Sequence, residues 1–181
     1  MTIHTNDPIN QDSAREIFNI MSMYATLRNN PEAKVKDLIK SSKFFLILSI
    51  AGMAIVGILI VLKGFDIPNT VMLAIWVMFF LLLLTFNITA NKRVKELIAN
   101  FSGKESDIIL DEEGIEIQSD LQNVRIQWKN VANARAFDHI VCVFSKDASG
   151  LSIIAPIRYK DGIFGFIRDN KIDIPVVDKP A

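Results

Sequence analysis

Two uncharged stretches decide the fold: FFLILSIAGMAIVGILIVL at residues 44–62 and IPNTVMLAIWVMFFLLLLTFNITA at residues 67–90. A helix rises about 1.5 Å per residue, so about 20 apolar residues cross a hydrocarbon core of roughly 30 Å. Residues 44–62 meet that length, and residues from about 68 to 90 do so again. Lys43 and Lys63 flank the first stretch, where their ammonium groups would reach the bilayer interfaces. The sequence therefore predicts a membrane protein with two transmembrane helices.

The short connection between the two stretches predicts an antiparallel hairpin over residues 44–90. Gly64 suits the end of the first helix, and Pro68 suits the first turn of the second. Lys and Arg are enriched on the cytoplasmic side of membrane helices. They lie before the first span and after the second: Arg28, Lys34, Lys36, Lys40, Lys43, Lys92, Arg93, Lys95 and Lys104. Both termini are therefore predicted to be cytoplasmic, with the lipid bilayer as one partner.

Composition and charge exclude several classes of protein. Half of the 181 residues are hydrophobic, which excludes a disordered chain. Residues 1–103 carry 10 basic and 7 acidic side chains, a net charge of +3, whereas residues 104–181 carry 10 and 13, a net charge of −3. A nucleic-acid-binding domain needs a clustered basic face, so we expect no nucleic-acid partner. Cys142 is the single cysteine, which excludes an intramolecular disulfide.

The two spans lack the ionisable side chain that a pore or pump uses to transfer ions or protons. Thr85 and Asn87 are their most polar candidates, and we interpret them as interfacial residues or as a helix–helix hydrogen bond. Ser49, Gly52 and Gly57 are small enough to let helices approach, but they do not form a GxxxG motif. A homo-oligomer is therefore left open as an alternative.

Residues 1–43 are predicted to form a cytoplasmic helical segment. Ser13 and Glu16 have the spacing of a capping box, and Asn-Asn-Pro at residues 29–31 interrupts the helix that follows. A further helix is expected to restart at Asn30 and Pro31 and to run into the first span. The first helix has an apolar stripe at Ala14, Ile17, Phe18, Met21, Tyr24 and Ala25. Few Lys or Arg accompany this stripe, so it is expected to pack on the C-terminal domain and not on the membrane surface.

A juxtamembrane helix is predicted over residues 91–103. Its apolar residues follow the i, i+3, i+4, i+7 pattern of one helix face: Val94, Leu97, Ile98 and Phe101. Gly103 is the expected end. The apolar face needs a covering surface, which the C-terminal domain would supply.

Residues 104–181 are predicted to form a small antiparallel β domain. From Ser106 onwards the apolar residues alternate with a period of two, and turn residues separate the short runs. We expect strands at residues 107–110, 115–118, 124–128, 132–137, 140–145 and 151–155, and a terminal helix at residues 161–170. The predicted fold class is membrane α+β: a transmembrane hairpin followed by a small barrel or sandwich that a helix closes.

The order of these parts resembles the YcxB-like membrane proteins of bacteria. The residues that carry the resemblance are IILD at 108–111, EGI at 113–115, IQWKNV at 126–131 and IIAP at 153–156. The last run is similar to an "IIP" motif before the terminal helix of that family, with Ala155 as an insertion. The resemblance implies a C-terminal domain similar to the pleckstrin-homology fold (PH-like). It brings no activity and no functional residues with it.

Asp138, His139 and Cys142 are the one cluster with an acid, an imidazole and a thiol. Residues 139 and 142 of a strand face opposite sides because their separation is odd, so we interpret Cys142 as a core residue and His139 as a turn residue. His4 is the only other histidine, and no residues have the spacing of metal ligands.

Two other features receive structural interpretations. The acidic run at residues 111–113 lacks the alternating oxygen ligands of a calcium loop and is interpreted as a solvated turn. Trp128 shares a strand face with Val124 and Ile126 and is interpreted as a core residue. We therefore predict no catalytic, cofactor-binding or metal-binding residues and no cofactor.

The predicted function is that of a non-enzymatic bacterial inner-membrane protein. Its β domain would bind a protein partner at an exposed strand edge or groove that the adjoining apolar helix shapes. A PH-like fold alone suggests phosphoinositide binding, but the basic residues of this acidic domain are dispersed. A scaffold or regulatory role is the first interpretation. The alternative is an immunity protein that protects the producing cell from a toxin acting at the inner membrane, and an enzyme is a distant third.

Overall fold

The computed structural model describes residues 1–6, 8–101, 104–119, 123–147 and 152–178, and the chain divides into two compact units. Residues 36–93 form the hairpin unit, and residues 1–35 with 94–181 form the sheet unit. The helices are α1 (Gln11–Ser22), α2 (Tyr24–Asn29), α3 (Leu38–Lys63), α4 (Ile67–Phe101) and α5 (Lys160–Asp169). The strands are β1 (Thr2–Thr5), β2 (Ser106–Leu110), β3 (Gly114–Ser119), β4 (Asn123–Gln127), β5 (Val131–Ala136), β6 (Ile140–Ser145), β7 (Ser152–Pro156) and β8 (Val176–Asp178).

The hairpin unit consists of α3 and the part of α4 up to Arg93. The Asp37 carboxylate accepts a hydrogen bond from the Lys40 N–H (2.9 Å) and so caps α3. The helix ends at Gly64, whose φ of 87° is readily adopted only by glycine. In both helices, residues of low exposure recur at intervals of three and four residues, as helices that pack along a shared seam require. They are residues 39, 42, 46, 49, 53, 56 and 60 in α3, and 73, 76, 80, 83, 87 and 90 in α4.

The two helices of the hairpin unit make close and partly polar contacts along this seam. The Asn87 side-chain amide donates hydrogen bonds to the Ser42 hydroxyl (2.5 Å) and to the Leu83 carbonyl (2.9 Å). Gly52 lies so near the indole of Trp76 that a Cβ at residue 52 would be 2.7 Å from the ring. Small residues therefore allow this approach, as predicted for Gly52.

Both hairpin helices are long and apolar enough to cross a membrane. Only 17% of the most apolar window of α3 and 6% of that of α4 are buried, so both helices are mostly exposed within this chain. The predicted restart at Asn30 is wrong, because residues 30–37 are not helical and α3 begins only after the Asp37 cap. The predicted helix over residues 91–103 is confirmed as far as Phe101, as the unbroken end of α4, and Gly103 lies outside the described residues.

The sheet unit contains two four-stranded sheets. Sheet A has the order β1-β2-β3-β4 and is antiparallel throughout, and sheet B has the order β7-β6-β5-β8 with β8 parallel to β5. Apolar residues of both sheets and of α5 form one buried cluster, which we call the inner layer. Its members include Ile108, Leu110, Ile115, Ile117, Ile126, Trp128, Ala134, Ala136, Val141, Val143, Ile153, Ile163 and Ile167.

A second cluster, which we call the outer layer, joins α1 and α2 to the other face of sheet B. Ile17, Ile20 and Leu27 of the helices pack there with four residues around β6: Phe137, Ile140, Cys142 and Phe144. The expectation that the N-terminal helix packs on the β domain is therefore confirmed. The predicted stripe is wrong in part, because Met21 and Ala25 are exposed while Ile20 and Leu27 are buried.

The predicted start of α1 is also wrong. Asn10, not Ser13, caps the helix, since its side chain accepts a hydrogen bond from the Ser13 N–H (2.8 Å). Glu16 does not reach back to the cap as a capping box requires; it binds the turn between β5 and β6.

The predicted strands and terminal helix are largely confirmed. β2 to β7 and α5 lie within two residues of the predicted positions, except that Trp128 belongs to a 3₁₀ turn after β4. β1 and β8 were not predicted. The predicted turns at residues 119–123 and 145–150 fall partly outside the described residues, as does the predicted strand start at Leu151.

Candidate partner-binding cleft

A cleft of about 550 Å³ lies beside β7 in the sheet unit. β7 is the edge of sheet B, and among the described strands it pairs only with β6. Sheet A contributes Thr5, Ser106, Ile117 and Ser119 to the lining, from the ends of β1, β2 and β3. The Thr5 and Ser106 hydroxyls are hydrogen-bonded to each other (2.8 Å), which joins β1 to β2 at this edge of the cleft.

Most of the cleft lining is apolar. Phe101 lines the cleft from the last turn of α4, so the end of this helix forms part of the groove. The other apolar lining residues come from the segment before α1, from α1 itself and from the ends of β3, β6 and β7: Pro8, Ile9, Ile17, Ile117, Ile140, Ile154, Ala155, Pro156 and Ile157. A groove of this size and character accommodates several apolar side chains of a ligand.

The charged and imidazole groups on the lining are Lys104, Arg158 and His139, and no Asp or Glu lines the cleft among the described residues. Arg158 is oriented by its neighbour: its guanidinium lies 4.8 Å from the Tyr159 ring centroid and donates a hydrogen bond to the Tyr159 hydroxyl (2.7 Å). That hydroxyl in turn donates to the His4 carbonyl (3.1 Å) on β1.

His139 is positioned by Glu16. The Glu16 carboxylate accepts hydrogen bonds from the backbone N–H groups of Asp138 and His139, both 2.8 Å long, and so ties α1 to the turn between β5 and β6. Burial raises the pKa of Glu16 above its ordinary value, although both hydrogen bonds and the nearby His139 favour the charged form. The His139 carbonyl accepts from the Ile157 N–H (2.9 Å), which joins this turn to the end of β7.

The predicted separation of Cys142 from His139 is confirmed. Cys142 is fully buried in the outer layer, whereas Asp138 and His139 are exposed in the turn. Burial raises the pKa of the Cys142 thiol to about 12, and a hydrogen bond with Ser152 only partly opposes this. The thiolate needed by a nucleophile is therefore scarce at neutral pH.

The acidic run at residues 111–113 forms a turn, as predicted, and Arg125 pairs with two of its three carboxylates. The Asp111 carboxylate accepts from the Glu113 and Gly114 N–H groups (2.9 Å each), and Arg125 bridges it to Glu113 and Glu116. Burial opposes ionisation of Asp111, but the two N–H groups and Arg125 hold its pKa below the ordinary value. Among the described residues, no group of three or more His, Cys, Asp or Glu could hold a metal ion.

The remaining sequence candidates have structural roles. Trp128 is a core residue, as predicted: its indole N–H donates to the Asp111 carbonyl (2.8 Å), and its ring stacks on Phe166. Asn87 forms the predicted helix–helix hydrogen bond with Ser42, and Thr85 donates to the Leu81 carbonyl of its own helix (2.9 Å).

Two features had no counterpart in the sequence predictions. The first is the set of residues that line the cleft, which are dispersed from Thr5 to Arg158 along the chain; the sequence predicted a groove but none of these residues as its lining. The second is Arg135, which is fully buried in β5 with its guanidinium 4.7 Å from the Phe137 ring centroid. None of its three side-chain nitrogen atoms has a hydrogen-bond partner among the described residues. Arg135 does not line the cleft.

No protein-family model, curated protein or solved structure matches this chain. The resemblance to YcxB-like membrane proteins therefore stays a prediction from the short motifs that carry it. The cleft and the edge of β7 are the features on which a functional proposal rests.

Proposed function

We propose that this chain is a non-enzymatic protein of the bacterial inner membrane whose sheet unit binds a segment of a partner protein in the cleft beside β7. The observation that carries the proposal is the coincidence of an apolar cleft with the edge of a sheet. An edge strand presents a row of N–H and C=O groups with which an extended peptide can pair, while alternate side chains of that peptide enter the groove. The role is that of a scaffold or regulatory subunit.

The geometry of β7 limits where such pairing occurs. Pro156 ends the strand and has no N–H to donate, so the pairing stretch is Ser152, Ile153, Ile154 and Ala155. Four residues provide few backbone hydrogen bonds. The apolar lining must therefore supply most of the affinity, which favours a ligand with bulky apolar side chains.

The membrane location rests on the hairpin unit. Large apolar side chains on the outside of α3 and α4, such as Val61 and Leu82 at 84% and 62% exposure, are stable in lipid and costly in water. Lys and Arg flank the hairpin on the side of both termini, which supports a cytoplasmic sheet unit. In this orientation the cleft is open to cytoplasmic partners.

The PH-like interpretation of the sheet unit is part of the same proposal. Two packed sheets closed by α5 support it, as do the motifs similar to those of YcxB-like proteins. Neither the fold nor the resemblance identifies the partner, so the proposal depends on the cleft.

Site-specific photo-crosslinking in intact cells tests the proposal. Phe101 and Ile157 in the cleft are each replaced by p-benzoylphenylalanine, with exposed Gln127 on β4 as the matched control position. We expect one dominant protein adduct, identified by mass spectrometry, at both cleft positions and not at residue 127. Adducts at the cleft positions that do not exceed those at residue 127 would contradict the proposal.

The identity of the adduct separates the scaffold role from the immunity alternative. A subunit of a resident membrane complex supports a scaffold or regulatory role. A protein encoded by an adjacent gene and toxic when expressed alone supports an immunity role, and no growth defect would then follow deletion of both genes.

A further inference from the structure

We propose that one end of the hairpin unit binds anionic phospholipids, and that Lys40 and Lys43 of α3 hold the lipid phosphate. This inference rests on the membrane location in the proposed function and adds the class of lipid that contacts the hairpin. It follows from the difference in charge between the two ends of the hairpin, from the depth of the basic residues, and from the exposed face of α3 on which Lys40 lies.

The two ends of the hairpin unit differ in charge. We call the end at which α3 begins the basic rim, because five basic residues of the unit lie there: Lys36, Lys40, Lys43, Lys92 and Arg93. Within residues 36–93, Asp37 is the one acidic residue at this end, and its carboxylate caps α3. The basic rim therefore has a net charge of +4, whereas Lys63 and Asp66 cancel at the opposite end. Anionic headgroups are attracted to one end of the hairpin only.

The basic rim lies at the depth of lipid headgroups. The Asn87 side chain donates a hydrogen bond to the Ser42 hydroxyl (2.5 Å), which brings the start of the apolar run in α3, at residue 44, near the end of that in α4, at residue 90. Since a helix rises about 1.5 Å per residue, Lys40 and Arg93 lie about 5 Å beyond these runs. The headgroup region extends roughly 5–8 Å from the hydrocarbon core on each side, so both residues lie within it.

One face of α3 carries basic and then apolar residues, in the order that matches a phospholipid. Lys40, Lys43, Ile47, Ile50 and Ala54 follow one another at intervals of three and four residues, so they share a helix face. All five are exposed, and the exposed fractions of Ile47 and Ile50 are 68% and 50%. The two ammonium groups can therefore contact a phosphate while an acyl chain of the same lipid lies along the isoleucines.

The basic side chains of this face are not neutralised within the chain. Lys40 and Lys43 are exposed, and neither ammonium group has a hydrogen-bond or ion-pair partner in the part of the chain that the structure describes. Residues three apart on a helix have Cβ atoms about 5–6 Å apart, which is close enough for both side chains to reach one phosphate. Each Lys or Arg near a surface strengthens binding to anionic lipids about fivefold. A zwitterionic lipid gains less, because its own ammonium group lies beside the phosphate.

The basic rim also serves to orient the hairpin, but orientation alone does not account for the arrangement. The rule that Lys and Arg stay on the cytoplasmic side depends on the number of basic residues near the span ends. It requires neither that Lys40 and Lys43 share a helix face nor that exposed apolar residues continue this face. Both features are needed if the face contacts the two parts of one lipid.

Quenching of tryptophan fluorescence by brominated lipids tests the inference. The full chain with Ile47→Trp in a Trp76→Phe background is reconstituted in vesicles of phosphatidylcholine and phosphatidylglycerol, in which one or the other lipid carries dibrominated chains. Trp76→Phe alone gives the background from Trp128. We expect phosphatidylglycerol to be preferred at least fivefold over phosphatidylcholine at residue 47. Ile58→Trp is the matched position, exposed on the same face at a similar depth from the opposite end, and should show a preference below twofold.

Matched charge variants assign the preference to the two lysines. Lys40→Gln with Lys43→Gln should lower the preference at residue 47 to less than twofold. Lys63→Gln with Lys129→Gln removes the same charge from exposed residues outside the basic rim, and should leave the preference nearly unchanged. Lys40→Arg with Lys43→Arg keeps the charge and should keep the preference, which separates the loss of a cation from damage to the helix.

The outcomes separate this inference from the proposed function. Equal preferences at residues 47 and 58, or equal losses in the two glutamine variants, would overturn the lipid inference. If the chain nevertheless stays in the vesicles after alkaline carbonate extraction, the membrane location stands and only the lipid preference is wrong. If carbonate releases the chain and no brominated lipid quenches either introduced tryptophan, the membrane location is wrong as well.

Discussion

The inner and outer layers of the sheet unit share β5 and β6, yet they differ in composition. On the inner face these strands contribute only small or branched apolar side chains: Ala134, Ala136, Val141 and Val143. On the outer face they bury polar groups as well: Asn133, Arg135 and Cys142 lie there with Phe144. Both faces of one sheet are covered, but only one is covered by another sheet.

The difference shows how a strand face adapts to helices that cover it. Asn133 donates hydrogen bonds to the Leu27 and Arg28 carbonyls (3.3 and 3.1 Å), near the end of α2 where helix carbonyls lack intrahelical partners. In the part of the chain that the structure describes, Arg135 has only the Phe137 ring as a partner. The outer layer is therefore stabilised by a mixture of apolar contacts and specific polar ones. It also contains buried polar atoms that lack a hydrogen-bond partner among the described residues, which is unfavourable: Asn133 Oδ1 and the three Arg135 nitrogen atoms.

The largest effect that we expect concerns Cys142 in the outer layer. Raising the thiol pKa from 9.0 to about 12 lowers the thiolate fraction about 1000-fold at pH 8. Alkylation by iodoacetamide should therefore be at least that much slower than at a cysteine introduced by Gln127→Cys in a Cys142→Ser background. Between pH 9 and pH 11 the labelling rate of Cys142 should keep rising while that of the exposed thiol levels off. Equal rates at pH 8 would show that the outer layer opens readily.

Truncating one leucine in each layer compares how much stability each layer loses when a buried side chain is shortened. Leu110 in the inner layer and Leu27 in the outer layer are both fully buried. Leu110→Ala should lower the free energy of unfolding by about 2–5 kcal/mol, because two sheets hold the cavity open. Leu27→Ala should cost less, since the six-residue α2 can shift to fill part of the space. Urea unfolding in micelles, followed by Trp128 fluorescence in a Trp76→Phe background, measures both, and the reverse order would contradict this view of the layers.

The inner layer and the hairpin could be predicted because each has a local signal. Uninterrupted apolar runs identify α3 and α4, and alternation over residues 124–128 identifies the buried side of β4. β1 and β8 have no such signal: they are four and three residues long and pair with β2 and β5, which lie far away in the chain. A strand whose partner is distant is fixed by the fold and not by its own pattern.

The buried polar groups of the outer layer and the residues that line the cleft were not predicted, for related reasons. Alternation implies that polar residues such as Asn133 and Arg135 face solvent, and nothing in the strand itself indicates that α1 and α2 cover that face. Ser13 and Glu16 matched a local motif, but a turn more than 120 residues away competes for the Glu16 carboxylate. The cleft is assembled from parts of both sheets, from α1 and from the end of α4, so its lining is brought together only by the complete fold.

Replacing Arg135 tests whether the outer layer contains an unfavourable buried charge. Arg135→Met keeps the length and removes three buried nitrogen atoms without partners, so stability should be unchanged or rise by about 1–3 kcal/mol. Arg125→Met is the matched control, because its partly exposed guanidinium has three carboxylate partners; it should lower stability only slightly. The same urea unfolding measures both. A loss above about 1 kcal/mol for Arg135→Met would mean that a buried anion or water satisfies the guanidinium.

The smallest effect that we expect is a change in pH dependence at Glu16, which joins α1 of the outer layer to the turn beside the cleft. Because burial raises the pKa of Glu16 in the folded state above 4.5, the folded state binds the proton more tightly than the unfolded state. The stability linked to this group is fully present below pH 4.5 and is lost as the pH rises through the folded-state pKa. Glu16→Gln loses one of two acceptors, which is a cost independent of pH. From pH 4 to pH 7, the stability of the wild type should therefore fall relative to that of Glu16→Gln. If the difference in unfolding free energy between the two proteins stays constant or changes in the opposite direction, the hydrogen bonds from residues 138 and 139 outweigh burial.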